Sequence, residues 1–150
     1  MKKYVFRLEA VLKLKKLKEE NCRSELGRLN VQMQKINDQL EHDRNEIKNY
    51  YKIQEEALAK GMPGNELQAF PILVRGKEHN IVLLNHEKKK QDDLIASKKI
   101  ELAQLRGDLK VMENMKQKDF EEYRKLLNKE IDQKVEEQTR NWLNYSDKEV

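Results

Sequence analysis

The residues that could carry out chemistry are few. The sequence contains three histidines, His42, His79 and His86, and a single cysteine, Cys22. A tetrahedral metal site needs several imidazole, thiolate or carboxylate groups that converge on one point. His79 and His86 are spaced to share one face of a helix, but no cysteine or set of carboxylates completes a site beside them. We therefore predict exposed helical histidines and no bound metal.

Nothing in the sequence indicates a nucleophile or a cofactor site. Cys22 falls in the apolar repeat described below, where a small apolar side chain packs well. One cysteine cannot form a disulfide framework, and its presence fits a reducing compartment. The sequence contains no phosphate-binding glycine loop and no dinucleotide fingerprint. Because long helices also offer no concave substrate pocket, we predict no catalytic residue, no cofactor and no enzymatic activity.

The composition is that of long, solvated helices. Charged residues make up 39% of the 150 residues and hydrophobic residues 37%, with only five glycines and two prolines. Such a composition with a regular apolar repeat is typical of coiled coils. The lysine runs at 88–90 and 98–99 have acidic neighbours and no interleaved aromatic residues. We therefore predict no nucleic-acid binding.

The apolar segments are too short to indicate a membrane protein. No apolar run approaches the roughly 20 residues that a membrane-spanning helix needs. Near the N-terminus, Arg7 and Glu9 interrupt the apolar stretch that a signal peptide would require. We therefore expect a cytoplasmic protein.

One stretch, "GMPGNELQAFP" at residues 61–71, breaks the helical pattern. It contains both prolines and two of the glycines, which disfavour the interior of a helix. Asn65 followed by Gln68 resembles a helix N-cap with its capping-box partner, and Pro71 then predicts a kink or a false start. The predicted elements of a single domain at 1–150 are a helix at about 4–60, a hinge at about 61–65 and a helix at about 66–143.

Apolar residues recur at alternating steps of three and four, which is the heptad pattern of a coiled coil. The seam before the hinge consists of Cys22, Leu26, Leu29, Met33, Ile36, Leu40, Asp43, Ile47, Tyr50, Gln54 and Ala57. The seam after the hinge consists of Val74, Lys77, Ile81, Leu84, Lys88, Gln91, Ile95, Lys98, Leu102, Leu105, Leu109 and Met112. A short break between two such helices favours antiparallel packing. We predict an all-α fold, an antiparallel two-helix coiled-coil hairpin with an overhanging C-terminal helix.

The register of this hairpin follows from the two seams, because the numbers of facing residues have a constant sum. A sum of about 131 brings apolar seam residues together and places Leu29 opposite Leu102. It also places Asp43 opposite Lys88, so that two charged seam residues form one ion pair. In this register the second helix extends beyond the first from about Asn128.

Both termini carry apolar residues that this pairing does not cover. Upstream, the seam continues through Glu19, Lys15, Leu12, Leu8 and Val5. The uncovered residues are Tyr4, Phe6, Val11, Leu14 and Leu17 upstream and Ile131, Val135 and Trp142 downstream. One partner helix covers only a narrow stripe, so the surplus predicts an external partner, self-association or a second helix that wraps to another side. Lysines beside the opening apolar face leave a membrane-surface helix as a further alternative.

Three features together resemble the FliJ family. The segment "FRLEAVLKLKKLKEE", from Phe6, is similar to the family's N-terminal pattern of an aromatic residue, a basic–Leu–acidic triplet and a basic amphipathic helix. The segment "GMPGNELQAF" followed by an apolar helix resembles the family's hinge. The chain length, the single hinge and the two long helices agree across nearly the whole chain.

The resemblance implies a component of the flagellar type III protein export apparatus, with a place in flagellum biogenesis and chemotaxis. It implies a central stalk of the hexameric, FliI-like export ATPase that promotes ring assembly and links the ring to the FlhA-like export gate. It also implies binding of export chaperones and a cytoplasmic location peripheral to the inner membrane at the flagellar base. The alternatives are an equivalent stalk of a virulence type III secretion system and a structural coiled-coil adaptor. Internal pairing across the hinge predicts a monomer in isolation.

The resemblance also implies where partners bind. In the family, gate-binding positions cluster near the hinge, and the matching or exposed residues here are Gln39, Tyr50, Phe70 and Leu73. This chain departs from the family's pattern at Asp43, Glu46, Lys77, Asn80 and Leu84. We assign the ATPase-binding surface to Phe6, Val11, Leu14, Ile131, Val135 and Trp142.

Overall fold

Two long helices make up most of the chain. The computed structural model describes residues 2–149; Met1 and Val150, the ends of the predicted 1–150 domain, lie outside the described residues. Helix α1 spans Glu9–Lys60, the one-turn helix α2 spans Gly64–Leu67, and helix α3 spans Ala69–Lys148. No strand occurs among residues 2–149. The predicted all-α class, with two long helices packed against each other as a hairpin, is confirmed.

The contacts divide the chain into two units. The first unit combines Met1–Glu19 with Gln104–Val150, and the second unit is Glu20–Ala103. Within each unit a segment of α1 packs antiparallel to a segment of α3. Both long helices therefore pass from one unit into the other along the chain.

Glycine and proline end α1 near its predicted end. Gly61 has a φ angle of 78°, a left-handed conformation that disfavours other residues and that commonly terminates a helix. Pro63 follows and precedes α2 directly. The first helix, predicted from about residue 4 to residue 60, thus ends at Lys60 but begins later than predicted, at Glu9.

The start of the second long helix differs from the capping prediction. Asn65 lies inside α2, which has no side-chain cap, and its side-chain oxygen accepts a hydrogen bond from the Glu66 amide at 3.1 Å. The capping box of Asn65 and Gln68 therefore does not form. Helix α3 begins at Ala69, so Pro71 lies in its first turn, where the missing N–H removes no helical hydrogen bond. The predicted false start corresponds to α2.

The predicted seam is the buried face of both helices. Every seam position from Cys22 to Ala57 on α1 and from Val74 to Met112 on α3 is buried or half-buried. Leu40 is 2% exposed and Leu102 is 5% exposed, whereas their neighbours in sequence face solvent. Heptad spacing alone therefore identified the packed stripe of both helices.

The predicted register, in contrast, is wrong by about one heptad. The Gln91 side-chain amide donates to the Leu29 carbonyl at 3.0 Å, and Asp43 faces Lys77 at 3.5 Å rather than Lys88. The numbers of contacting residues add up to between 120 and 125 instead of about 131. The sequence did not distinguish these registers because a heptad pattern looks the same after a shift of seven. The turn decides between the two registers, and its centre near Met62 corresponds to the smaller sum.

Ion pairs between α1 and α3 shift the pKa values of three glutamates. The pairs are Glu9 with Lys116 in the first unit, and Glu25 with Lys98 and Glu46 with Lys77 in the second. In each pair, the hydrogen bond from the lysine ammonium is the main reason why the carboxyl pKa lies below its usual value. The same bonds hold the pKa values of Lys77 and Lys98 above their usual value.

We expect these pairs to confine stability to a broad window of pH. A carboxyl group whose pKa is lowered by folding contributes stability that is present above its usual value of 4.5 and lost as pH falls through the lowered pKa. A lysine whose pKa is raised contributes stability that is present below 10.5 and lost as pH rises through the raised pKa. The melting temperature, followed by circular dichroism, should be nearly level between these values and fall outside them.

A matched pair of variants isolates the acid side of this window. Glu25→Gln removes one of the three paired carboxylates and should reduce the fall of the melting temperature below pH 4.5. Glu55→Gln changes an exposed glutamate of the same helix and should leave that fall unchanged. Equal acid behaviour of the two variants would contradict the assignment of the stability to the ion pairs.

Candidate partner-binding surfaces

An extended N-terminal segment, residues 2–6, packs on α3 in the first unit. The Tyr4 ring contacts the rings of Phe120 and Tyr123 at centroid distances of 5.0 and 5.2 Å. The Tyr4 hydroxyl donates to the Asp119 carboxylate at 3.2 Å, and the Tyr123 hydroxyl donates to the Lys2 carbonyl at 2.9 Å. Burial, and then the hydrogen bond to Asp119, raise the pKa of Tyr4 above its usual value. These contacts attach the N-terminal segment to α3.

The extended conformation corrects the prediction for Phe6. Phe6 is only 7% exposed and packs in a core cluster with Leu12 and Met112, so it is not part of an exposed surface. Val5, which the seam placed inside, is 76% exposed. The reason is the change of period: side chains alternate in an extended segment, so Tyr4 and Phe6 face inward and Val5 faces outward. Leu8 and the start of α1 restore the helical period.

A band of apolar side chains on α1 remains exposed in the first unit. Val11, Leu14 and Leu17 are 41%, 51% and 53% exposed. They are spaced by three residues and avoid the seam position Leu12, which is fully buried. The sequence predicted apolar residues that the partner helix leaves uncovered. Val11, Leu14 and Leu17 are such residues, and the buried Phe6 is not.

In the first unit, the C-terminal part of α3 is not covered by α1 or by the N-terminal segment. Leu127 is half-buried, and every residue from 128 to 145 is exposed. Ile131, Val135 and Trp142 are 46%, 54% and 68% exposed and lie at helical spacing on one face. Leu143 and Tyr145 extend this apolar surface, although the sequence reasoning missed them. Tyr145 follows Trp142 by three residues, and this spacing was the available signal.

The second unit exposes apolar residues close to the hinge. Of the predicted gate-binding residues, Leu73 is 46% exposed, whereas Tyr50 and Phe70 are half-buried. Gln39 is exposed, and its amide donates to the buried Asp43 carboxylate at 2.9 Å, which ties Gln39 to the interior of the hairpin. The other large exposed residues around the hinge are Tyr51, Ile53, Leu58 and Ile72.

Among residues 2–149, only one group of side chains could hold a metal ion, and a lysine forms ion pairs with this group. His42, Asp43 and Glu46 bring their ligand atoms within 4.8 Å of one another. The Lys77 ammonium lies 3.5 Å from Asp43 and 2.5 Å from Glu46, and His42 lies 3.1 Å from Glu46. The positive charge of Lys77 therefore already pairs with both carboxylates of this group. This cluster is better explained as an ion-pair network of the seam than as a metal site.

Comparison with known proteins gives one family. Residues 3–142 match the family model described as "FliJ: Flagellar FliJ protein". No curated protein and no solved structure matches the chain. In residues 2–149, none of the helices has the length and apolar character needed to cross a membrane. Because the match covers most of the chain, from the extended N-terminal segment through the hinge into the uncovered part of α3, the chain belongs to the FliJ family of flagellar proteins and is a component of the flagellar export apparatus.

Proposed function

We propose that this chain is a stalk of the flagellar export ATPase ring that connects the ring to the export gate and promotes ring assembly. The observation that carries this proposal is the uncovered part of α3, where Ile131, Val135 and Trp142 form an exposed apolar face. A helix of this length with no partner buries little apolar surface, so it gains stability by binding another protein. The direct test is ATPase stimulation by chains with and without this part, which is argued in the Discussion.

The ATPase-binding surface combines two parts of the first unit. They are the band of Val11, Leu14 and Leu17 on α1 and the exposed face from Ile131 to Tyr145 on α3. Covering such side chains stabilises a complex by about 25 cal/mol per Å² of apolar area, before the costs of association. A ring surrounds its stalk, so a stalk needs apolar residues on more than one face. The exposed lysines of α1 beside this band would steer the chain towards acidic ring loops.

The remaining partners follow from the same proposal. The hinge region of the second unit would bind the export gate, and the exposed helix faces would receive export chaperones. The chain would act in the cytoplasm, peripheral to the inner membrane at the flagellar base, and would be a monomer in isolation. The match to a flagellar family favours the flagellar apparatus over a virulence secretion system.

We expect Leu73→Asp to weaken binding to the gate protein without unfolding the hairpin. Leu73 is 46% exposed and lies one residue before the buried Val74, so a charge at this position faces solvent in the free chain but would be desolvated in a complex. The affinity should fall by about tenfold or more, which corresponds to 1.4 kcal/mol. Isothermal titration calorimetry with the isolated gate domain measures this change, and circular dichroism monitors the fold.

The matched control for this variant is Val82→Asp. Val82 is 55% exposed on the same helix but lies farther along α3 from the hinge. Its substitution by aspartate should leave the gate affinity unchanged. Equal affinities for the two variants, or unfolding of Leu73→Asp alone, would show that Leu73 has no specific part in gate binding.

A further inference from the structure

The exposed charges at the start of the chain are all positive. The exposed charged side chains among residues 2–19 are Lys2, Lys3, Arg7, Lys13, Lys16 and Lys18. Both carboxylates of this stretch are engaged by α3. Glu9 is half-buried and pairs with Lys116 at 2.8 Å, and Glu19 is 8% exposed and accepts a hydrogen bond from Arg106 at 3.2 Å. The hairpin therefore turns the acidic groups inward and leaves a cationic outer surface.

Two of these lysines flank the exposed apolar band of Val11, Leu14 and Leu17. Lys18 follows Leu14 by four residues, and Lys13 precedes Leu17 by four residues. Side chains four residues apart are neighbours on the surface of a helix. Because the three apolar residues are 41–53% exposed, aliphatic side chains and lysines lie side by side on one outward face of α1.

The acidic groups of residues 2–19 do not neutralise these lysines. The hydrogen bond from Lys116, and then the charges of Lys13 and Lys16, hold the pKa of the Glu9 carboxyl below its usual value. One carboxylate thus lies among three cations, which leaves an excess of positive charge. The first exposed acidic residue of the chain is Glu20, which follows the band.

We propose that this face of α1 binds the surface of an anionic lipid bilayer. The aliphatic side chains of Val11, Leu14 and Leu17 would enter the boundary between headgroups and acyl chains, and Lys13 and Lys18 would contact lipid phosphates. A helix with an apolar face between basic residues lies in the plane of such a surface and is held by apolar burial together with electrostatic attraction. Because α1 is already helical in the hairpin, binding requires no new helix to form.

The composition of the face favours lipid over an acidic protein as its occupant. The cores of protein interfaces are enriched in aromatic residues and depleted in lysine. Around the band the opposite holds, since Tyr4 is half-buried and Phe6 is buried. The exposed aromatic residues Trp142 and Tyr145 lie instead on the C-terminal part of α3. Lysine also has a long apolar stem that can lie against acyl chains while its ammonium group reaches the headgroups.

This inference goes beyond the proposed function, which assigns the same band to the ATPase ring. Lipid and ring would compete for Val11, Leu14 and Leu17. The exposed face of α3 from Ile131 to Tyr145 is a separate surface and would stay available to the ring. Lipid would therefore hold the free chain at a membrane surface and give up the band when the ring assembles.

The test is flotation of the full-length chain with lipid vesicles, without the ATPase, so its outcome does not depend on the proposed function. Vesicles of phosphatidylcholine mixed with phosphatidylglycerol should carry the chain upward in a density gradient, and vesicles of phosphatidylcholine alone should not. Raising the salt from about 0.1 M to 1 M shortens the screening length from about 10 Å to 3 Å and should release most of the bound chain. Equal binding to both kinds of vesicle, or binding to neither, overturns the proposal.

Lys13→Gln with Lys18→Gln removes the two lysines that flank the band. Two lysines beside an anionic surface account for about a 10- to 30-fold difference in affinity, so vesicle binding should weaken by this factor. The matched control is Lys89→Gln with Lys90→Gln, which removes two exposed lysines of the second unit and gives the same net charge. Equal losses in the two variants would show that only the net charge of the chain is recognised, and they overturn the proposal.

Leu14→Ser with Leu17→Ser tests whether the apolar side chains enter the bilayer. Both flanking lysines remain, and vesicle affinity should still fall by about tenfold because less apolar area is buried against lipid. The control is Leu83→Ser with Leu94→Ser, which changes residues that are 50% and 54% exposed in the second unit. All these side chains are exposed, so the helical circular-dichroism signal should stay unchanged.

Poly-glutamate, a soluble acidic polymer, separates a lipid surface from an acidic protein as the occupant. The serine substitutions at Leu14 and Leu17 should weaken binding to anionic vesicles more than binding to poly-glutamate. A ratio of the two affinities that equals the parent chain's ratio would show that the face recognises negative charge alone. The partner would then be an acidic protein, and the proposal of a lipid surface is overturned.

Discussion

Removal of residues 129–150 should abolish stimulation of the export ATPase while the rest of the chain stays folded. Every residue from 128 to 145 is exposed, and the buried seam of α3 ends near the half-buried Leu127. The deletion therefore removes an apolar surface without removing core packing. The helical circular-dichroism signal per residue and the gate affinity should remain nearly unchanged, and the ATPase rate should fall to its unstimulated level.

Two point variants in the full-length chain separate a lost surface from a shortened helix. Trp142 is 68% exposed and Val135 is 54% exposed, so Trp142→Ser and Val135→Asp change the face without changing the length. Each should reduce stimulation substantially, because a few large apolar residues usually dominate an interface. Glu137→Gln, on the same stretch and away from these residues, serves as the control.

The outcome that contradicts this assignment is equally clear. If the shortened chain stimulates the ATPase and promotes ring assembly as well as the full chain does, the uncovered part of α3 does not bind the ring. The exposed side chains from Ile131 to Tyr145 would then belong to another partner, and the band on α1 would be the remaining candidate surface for the ATPase.

Heptad spacing predicted the packed face but not its register. The seam from Cys22 to Ala57 and the seam from Val74 to Met112 are the buried stripes of the two helices. Spacing contains this information because only one stripe of each helix faces its neighbour. It does not contain the register, because a shift by seven residues leaves the pattern unchanged. The register depends on the turn after Gly61 and on the contacts of the first unit.

The N-terminal segment shows a second limit of spacing arguments. A helical period through residues 4–8 placed Val5 inside and Phe6 outside, and the structure has the reverse. The extended segment alternates its side chains, and the energy that selects it comes from the tertiary contacts of Tyr4 with Phe120 and Tyr123. Local propensity does not include contacts between residues more than a hundred positions apart. For the same reason the sequence correctly identified exposed surfaces where no such contact exists, at Leu14 and Trp142.

Leu12 and Leu14 should separate stability from partner binding. They lie two residues apart on α1, yet Leu12 is fully buried beside Phe6 and Met112, and Leu14 is 51% exposed. Leu12→Ala leaves a cavity in this cluster and should destabilise the chain by about 2–5 kcal/mol. For a chain of this length, each kcal/mol lowers the melting temperature by about 2–4 °C. Leu14→Ala should change the melting temperature little, because its side chain is already in water.

Leu12→Ala should lower the melting temperature more than Leu14→Ala does, but Leu14→Ala should weaken ATPase stimulation more than Leu12→Ala does. At a temperature well below both melting points, Leu12→Ala presents the same exposed band as the parent chain and should stimulate the ATPase normally. Leu14→Ala, and more strongly Leu14→Asp, should require about tenfold more protein for half-maximal stimulation, which corresponds to 1.4 kcal/mol. Melting followed by circular dichroism and ATPase titration on the same preparations measure both properties. If Leu12→Ala loses stimulation while still folded and Leu14→Asp retains it, the ring contacts the N-terminal core cluster rather than the exposed band, and Val11, Leu14 and Leu17 have to be removed from the binding surface.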